Sequence, residues 1–478
     1  MNRRLVILLA CFALLPANAA LGAEKAPTKK DVNELEKKVE RQDQVIRDLE
    51  QRLDQLEAPP PAAKRVDPDK ARSAEEVEAE MYPQTQQSPV ENRGTFEDRQ
   101  EAAARPGNLV LDPKYRGFIP IPQTVFMVKF NPKPRLDLMW TTRNPGDSRY
   151  RFAPALFPID NTTEYDAGSQ FDAGANGSQI RVDLRAPALG GNFRLYYQND
   201  FFGSDSSDFQ FRLQHFYGQA YGIVGGFTYG IFEDPDAWPD TVDYEGPNAV
   251  IFARRALLHY TLGLPANFFL TLGLEDPKAF INTTGDPNAE SKFRAPDGGF
   301  NVRWEPGDLG HIQFSSIFRS LGIQGDIVDD QDVFGWGLNL AGSINITPNN
   351  TFQFYGVYGQ GVGGLGNDAG FDDSDAALDG DGDLVALDYV SGMLAFTHVW
   401  TPRWRSTATY GYVNVENTGM QADDAYDYTH YASANLIYKI FKRLSVGGEV
   451  LYGFRNVKSG DDGDVVRFQM SFVYAPFD

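Results

Sequence analysis

The feature that most restricts this chain is a strict alternation of apolar and polar residues, repeated strand after strand and clearest between Gly392 and Phe477. Leu444, Val446, Gly448, Val450, Tyr452 and Phe454 are apolar or tiny, and Arg443, Ser445, Gly447 and Glu449 fall between them. Val466, Phe468, Met470, Phe472 and Tyr474 alternate in the same way with Arg467, Gln469 and Ser471. A period of two sends successive side chains to opposite faces of a strand, so each of these strands has one apolar and one polar face. In a soluble sandwich the apolar face would pack on a second sheet. Sustained over most of the chain behind an export signal, the pattern fits a wall whose apolar face meets lipid and whose polar face encloses water.

Composition agrees with that reading. Charged residues make up 23% of the 478, and no apolar run reaches the roughly 18 residues a spanning helix needs. Aromatic residues at 13%, including 22 Tyr and 34 Phe, with 46 Gly, suit aromatic girdles and tight turns. A net charge of −21 argues against a nucleic-acid partner. The single cysteine, Cys11, lies in the leader, so the mature chain has no thiol, as suits an oxidising compartment.

Arg3-Arg4, an apolar run from Leu5 to Leu15 and Pro16-Ala17-Asn18-Ala19 read as a secretory signal peptide, assigned to residues 1–23. Residues 31–57 carry heptads, with Val32, Val39, Ile46 and Leu53 at one core position and Leu35, Gln42, Leu49 and Leu56 at the other. A self-associating periplasmic coiled coil is expected there, and the mixture of Leu and β-branched core residues leaves two or three strands open. Pro59-Pro60-Pro61 ends the helix. Residues 58–116, rich in Pro, Ala, Glu, Gln and Arg without periodicity, read as a flexible linker. Residues 117–478 form the β region, opened by Gly117-Phe-Ile-Pro-Ile-Pro-Gln-Thr124 as a plug or lead-in segment.

About 16 antiparallel strands are predicted, the first starting near Arg135 and the last near Asp464. Short turns such as Gly263–Ala266, Thr347–Asn349 and Thr401-Pro402 alternate with long connections such as Arg143–Ser178, Ile231–Asn248 and Gln360–Val385. Connection length segregated by parity, with an even strand number, is the pattern of an all-β transmembrane barrel. The expected architecture is therefore such a barrel preceded by an α-helical coiled coil.

Several stretches resemble the DcaP-like trimeric outer-membrane porins. They are Gly117–Thr124, Phe232-Glu-Asp-Pro-Asp-Ala-Trp-Pro-Asp-Thr-Val-Asp-Tyr-Glu-Gly-Pro247, His398-Val-Trp-Thr-Pro-Arg-Trp-Arg-Ser-Thr, Tyr431-Ala-Ser-Ala-Asn-Leu-Ile-Tyr and Glu449-Val-Leu-Tyr-Gly. The resemblance covers roughly residues 115–478, and the leader and coiled coil fit it too. It implies a homotrimer in the outer membrane, contacting lipid and lipopolysaccharide, that admits small anionic solutes such as dicarboxylates. The ending Tyr474-Ala-Pro-Phe477-Asp478 departs from the terminal aromatic residue of many barrels.

With the apolar parity given to lipid, the polar parity collects arginines: Arg181 and Arg185 on either side of Asp183, then Arg194, Arg212, Arg303, Arg405 and Arg467. Arg254 joins them, although Arg255 beside it must point the other way. A guanidinium stays charged and grips carboxylate or phosphate in two-pronged fashion, as an anion-selective pore requires. The same residues would equally serve as wall ion pairs with nearby carboxylates. The connection Ile231–Asn248, with Asp234, Asp236, Asp240 and Asp243, follows the fifth strand, where sixteen-stranded porins fold a loop inward to narrow the pore. Its carboxylates either face the arginines across a constriction or turn to the wall. The acidic stretch Asp372–Asp383 lacks the glycine and the bidentate acid of a calcium loop, so no metal and no cofactor are expected.

The function expected is passive, anion-preferring diffusion, with no enzymatic activity. The five histidines are scattered, and no Gly-x-Ser-x-Gly occurs to support a barrel hydrolase. A phosphate-type or general cation-preferring porin and a structural envelope tether are the remaining alternatives.

Overall fold

The structure is a computed structural model that describes Phe96, residues 99–104 and residues 117–476, apart from 187–192, 204–208, 285, 287, 328–329 and 442. The signal peptide and the coiled coil expected at 1–23 and 31–57 lie outside the described residues.

Antiparallel strands dominate. The first hairpin is one long ladder in two pieces: Met127–Phe130 pairs with Ile180–Arg185, and Arg135–Thr141 pairs with Gln170–Gly174. A bridge between Lys133 and Gln179 joins the pieces, so each pair of segments forms one arm. The ladder then runs through Arg194–Asp200, Arg212–Ala220, Ile223–Tyr229, Arg254–Leu264, Phe268–Glu275, Asp297–Trp304, Gly310–Gln324, Gln331–Thr347, Asn350–Gln360, Asp388–Thr401, Trp404–Val415, Tyr426–Phe441, Leu444–Val457 and Asp462–Tyr474. With the two arms, these make sixteen strands among the described residues. The last of them pairs along its free side with the first, Arg467 opposite Thr141 and Val473 opposite Arg135. Ile119–Pro120, in the proline-rich lead-in, makes a two-residue pairing with Met127 and Val128. Strand starts fall within a few residues of the sequence expectation except in the first hairpin, where pairing resumes at Gln170 inside the stretch read as a long connection.

The short connections are tight. Tyr221 and Gly222, at φ of 51° and 82°, turn between Arg212–Ala220 and Ile223–Tyr229, a left-handed pair matched to the twist of a hairpin. The long connections lie at the other ends of the strands.

The sheet is inverted relative to a soluble protein. On Asp388–Thr401, Tyr389, Ser391, Met393 and Ala395 are buried while Val390, Leu394 and Phe396 are exposed. On Asp462–Tyr474, Val465, Arg467, Gln469 and Ser471 are buried and Phe468, Met470 and Tyr474 exposed. Leaving large apolar side chains in water strand after strand is unfavourable, so this face requires an apolar surrounding. Aromatic pairs gather toward the strand ends: Trp404 stacks on Tyr438 with centroids 4.3 Å apart near the short turns, and Tyr412, Tyr428, His430 and Phe454 cluster near the long ones.

Candidate functional site

The long connections fold onto the buried face of the sheet. The connection after Ile223–Tyr229 is buried along almost its whole length, and its own polar atoms explain why. A loop inside a protein must find partners for its backbone, and these come from strands all around the ladder. Asn339 and Gln313 donate to the carbonyls of Phe232 and Glu233 at 2.7 and 2.8 Å. Tyr355 Oη accepts from Asp234 N at 3.0 Å. The amides of Val242 and Asp243 donate to Glu449 at 2.9 and 2.6 Å, and Arg135 donates to the Val242 carbonyl at 2.5 Å. Glycines make room where the loop presses: a Cβ on the strand residues Gly299 and Gly337 would meet Ile231 at 2.8 Å and Phe232 at 2.7 Å, and one on Gly177, in a turn, would meet Tyr244 at 2.8 Å.

The carboxylates of this loop engage wall cations directly. Asp234 takes Arg303 at 3.0 Å and His311 at 2.7 Å, and Asp236 takes Arg303 at 2.7 Å. Asp234, Asp236 and His311 converge closely enough to suggest a metal cluster. The Arg303 guanidinium bonds both of these carboxylates. Asp240 pairs with Arg405. Asp243 accepts from its own Gly246 amide at 2.8 Å and from Phe152 at 3.3 Å, and burial pushes its carboxyl up to about 6.

The remaining arginines are placed as follows. Arg212 bonds Asp200 at 2.5 Å. Arg185 and Arg194 share Asp183 at 2.8 and 2.9 Å. Arg467, fully buried, donates to the carbonyls of Ser148 and Arg149 at 2.9 and 3.1 Å and lies over Phe152 at 5.0 Å. Of the adjacent pair, Arg255 takes the buried parity and bonds Asp297 at 2.5 Å, whereas Arg254 lies over the Phe252 ring at 4.6 Å. Two cations outside the expected set matter as well. Arg319 bridges Asp297 and Asp375 at 2.9 and 2.8 Å, tying a second connection to the buried face of the sheet. Arg135 pairs with Asp137 at 2.7 Å. Both lie on the buried parity of their strands, a signal the sequence already carried.

One cluster gathers several cations around a single described carboxylate. Lys129, Lys133 and Arg181 surround Glu101 at 3.7, 3.6 and 2.8 Å, and Arg194 donates to the Glu101 carbonyl at 2.8 Å. Burial alone would raise the Glu101 carboxyl, but Lys133, Arg181, Lys129 and Arg194 together hold it well below the usual carboxylate range. Glu101 belongs to the stretch 58–116 read as a flexible linker, and this part of it corrects that reading. Arg99–Ala102 is a short α-helix, Ala102 is fully buried, and Phe96 packs on Val242 and Ile437. The composition of the stretch hid this segment, because its order comes from partners supplied by residues far along the chain rather than from local periodicity.

The acidic connection beyond Asn350–Gln360 is held by protein donors. Asp375 accepts from Arg319 and from the amides of Gly364 and Phe280 at 2.8 and 2.9 Å, and Asp379 caps the amides of Asp381 and Asp383 at 2.9 and 3.0 Å.

No family model matches the chain, and no curated protein matches it. Among solved structures, the outer membrane channel DcaP of Acinetobacter baumannii superposes with a TM-score of 0.64 at 17% identity, covering 73% of this chain and 97% of that one. An anion-selective porin from Comamonas acidovorans reaches 0.48 at 11% identity, covering 73% and 99%, and OmpT, an outer membrane protein of Vibrio cholerae, 0.45 at 11%, covering 74% and 99%. The described part of the chain thus has the fold of the DcaP channel, in line with the resemblance of its motifs, and at these identities the likeness speaks for fold alone.

Proposed function

We propose that the chain is an outer-membrane diffusion channel: a closed sixteen-stranded barrel embedded by its apolar face, assembled as a homotrimer with the N-terminal helices joined in the periplasm. Pairing of the last strand with the first, together with an exposed apolar and a buried polar face, supports the barrel. The fold shared with DcaP supports the channel. Small anions, dicarboxylates among them, are the preferred solutes, and no covalent chemistry is involved.

The observation that supports the anion preference is the gathering of five buried cations on the first three strands. Lys129, Lys133, Arg181, Arg185 and Arg194 are all buried here, with Glu101 and Asp183 among them. Elsewhere on the inner wall carboxylates and arginines largely cancel, as with Arg303 and Arg405. Cationic side chains gathered along a confined aqueous path raise the concentration of anions there. The test is the reversal potential of the purified trimer in a planar bilayer across a tenfold potassium chloride gradient. A chloride-favouring potential that weakens in Arg181→Ala is expected. A potassium-favouring potential would overturn the anion reading in favour of a general cation-preferring porin.

A further inference from the structure

Asp234 and Asp236 come from the connection after Ile223–Tyr229, and His311 from the start of Gly310–Gln324, 77 positions beyond Asp234. One ligand atom from each of the three lies within 4.8 Å of the other two, and His311 Nε2 stands 2.7 Å from Asp234 Oδ2. The set is held in place by its surroundings. Asp234 N donates to Tyr355 Oη at 3.0 Å, and the Asp234 carboxylate caps the Asp236 amide at 3.3 Å across Pro235, whose ring fixes the backbone of that turn. A cation already engages the set. Arg303 bonds Asp234 at 3.0 Å and Asp236 at 2.7 Å, while its Nε reaches Glu305 at 2.5 Å. The Asp234 side chain is wholly buried, those of Asp236 and Arg303 are 13% and 14% exposed, and that of Glu305 is 40% exposed, so the cluster opens on the Glu305 side.

We propose that Asp234, Asp236 and His311 form a binding site for a divalent transition-metal ion of the zinc kind, which takes the two carboxylates in place of the Arg303 guanidinium. The site stands whether or not the chain conducts. One imidazole nitrogen and two carboxylate oxygens are the donors of a three-ligand zinc site that leaves its fourth position to water. An imidazole among them favours zinc and its neighbours in the first transition row over magnesium and calcium, which take oxygen alone. Ligands about 2.0–2.1 Å from a tetrahedral zinc lie roughly 3.4 Å apart, so a set spanning 4.8 Å closes with side-chain shifts of about 1 Å. The exchange strands no charge. Arg303 keeps Glu305, and the two aspartates gain a doubly charged ion where the guanidinium brought a single charge. The metal then fastens the connection, through Asp234 and Asp236, to the strand that carries His311. Apparent affinity is set by the fraction of molecules in which Arg303 has withdrawn to Glu305.

The experiment is calorimetric titration of the full-length purified protein, first stripped with a chelator, with zinc chloride and separately with magnesium chloride. Arg303→Gln removes the guanidinium from the set and is expected to bind zinc about tenfold more tightly than the unaltered chain. His311→Gln removes the nitrogen ligand and is expected to bind it at least about tenfold more weakly. The two variants shift affinity in opposite directions, so either one decides the matter if the other fails to fold. Magnesium is expected to bind far more weakly than zinc to the unaltered chain and to Arg303→Gln. Zinc binding that neither substitution alters would place the ion on other acidic groups and overturn the site. Magnesium bound as tightly as zinc, or no zinc bound by the unaltered chain and by Arg303→Gln, would overturn it as well.

Discussion

Replacing Arg319 with alanine asks how firmly the inward connections are pinned. Its side chain is wholly buried and reaches four acceptors: Asp297 at 2.9 Å, Asp375 at 2.8 Å, and the carbonyls of Gly361 and Lys278, both at 2.7 Å. Removing one partner of a buried ion pair costs about 3–5 kcal/mol, because the remaining charge is stranded. Here neither carboxylate is left bare. Asp297 keeps Arg255, and Asp375 keeps the amides of Gly364 and Phe280. The cost should therefore sit at the lower end, about 3 kcal/mol, and it should fall on the connections rather than on the strands, whose ladder does not pass through this side chain. Converted at about 1.4 kcal/mol per factor of ten, that is roughly a hundredfold faster hydrogen exchange at the Gly364 and Phe280 amides. Exchange in Gln331–Thr347 and Asn350–Gln360 should stay as it was. Arg319→Lys should recover only part of the protection, since one ammonium cannot span four acceptors in the same plane. Arg319→Ala with protected Gly364 and Phe280 amides would refute the reasoning.

Two further outcomes follow from the same geometry. Asp368 is buried and accepts from Thr429, Ala155 and Tyr426 at 2.6, 2.9 and 3.1 Å, yet burial pushes its carboxyl up to about 6. A folded-state value above the unfolded one means that its contribution is fully present below about pH 4 and lost as pH rises through 6, at most about 3 kcal/mol. The melting temperature should thus gain on acidification from pH 7.5 to 5, and Asp368→Asn should flatten that slope; an undiminished slope in the variant would assign it to other groups. Leu394, at 56% exposure on the outer face, should tolerate charge badly. Leu394→Arg is expected to cost about 2–4 kcal/mol in urea titrations of the protein refolded into vesicles, and a neutral result would place that face outside the lipid.

Much of this protein is written locally. Alternation of side chains along a strand depends on residues two apart, so the faces of Leu444–Val457 and Asp462–Tyr474 can be read from sequence, and the structure exposes and buries the same residues. Connection lengths gave the order of short and long turns for the same reason. The parity of Arg303, Arg405 and Arg467 was legible too, but not what each meets. Arg405 finds Asp240 across 165 positions, and Phe96 finds the same carboxylate across 144. Such partnerships follow from the path of a loop over the buried face of the sheet, which no periodicity records. Composition likewise marked residues 58–116 as unstructured, since the short helix at Arg99–Ala102 has no apolar repeat of its own. Its order is supplied by Arg194, Tyr217 and Asp240, donors and acceptors that only the folded wall and loop bring within reach. The sequence by itself determined the strands, their faces and the sign of charge on each; the tertiary structure alone decided which charges cancel and which lie beside Glu101, because buried electrostatics depend on distances of a few ångströms between residues far apart in the chain.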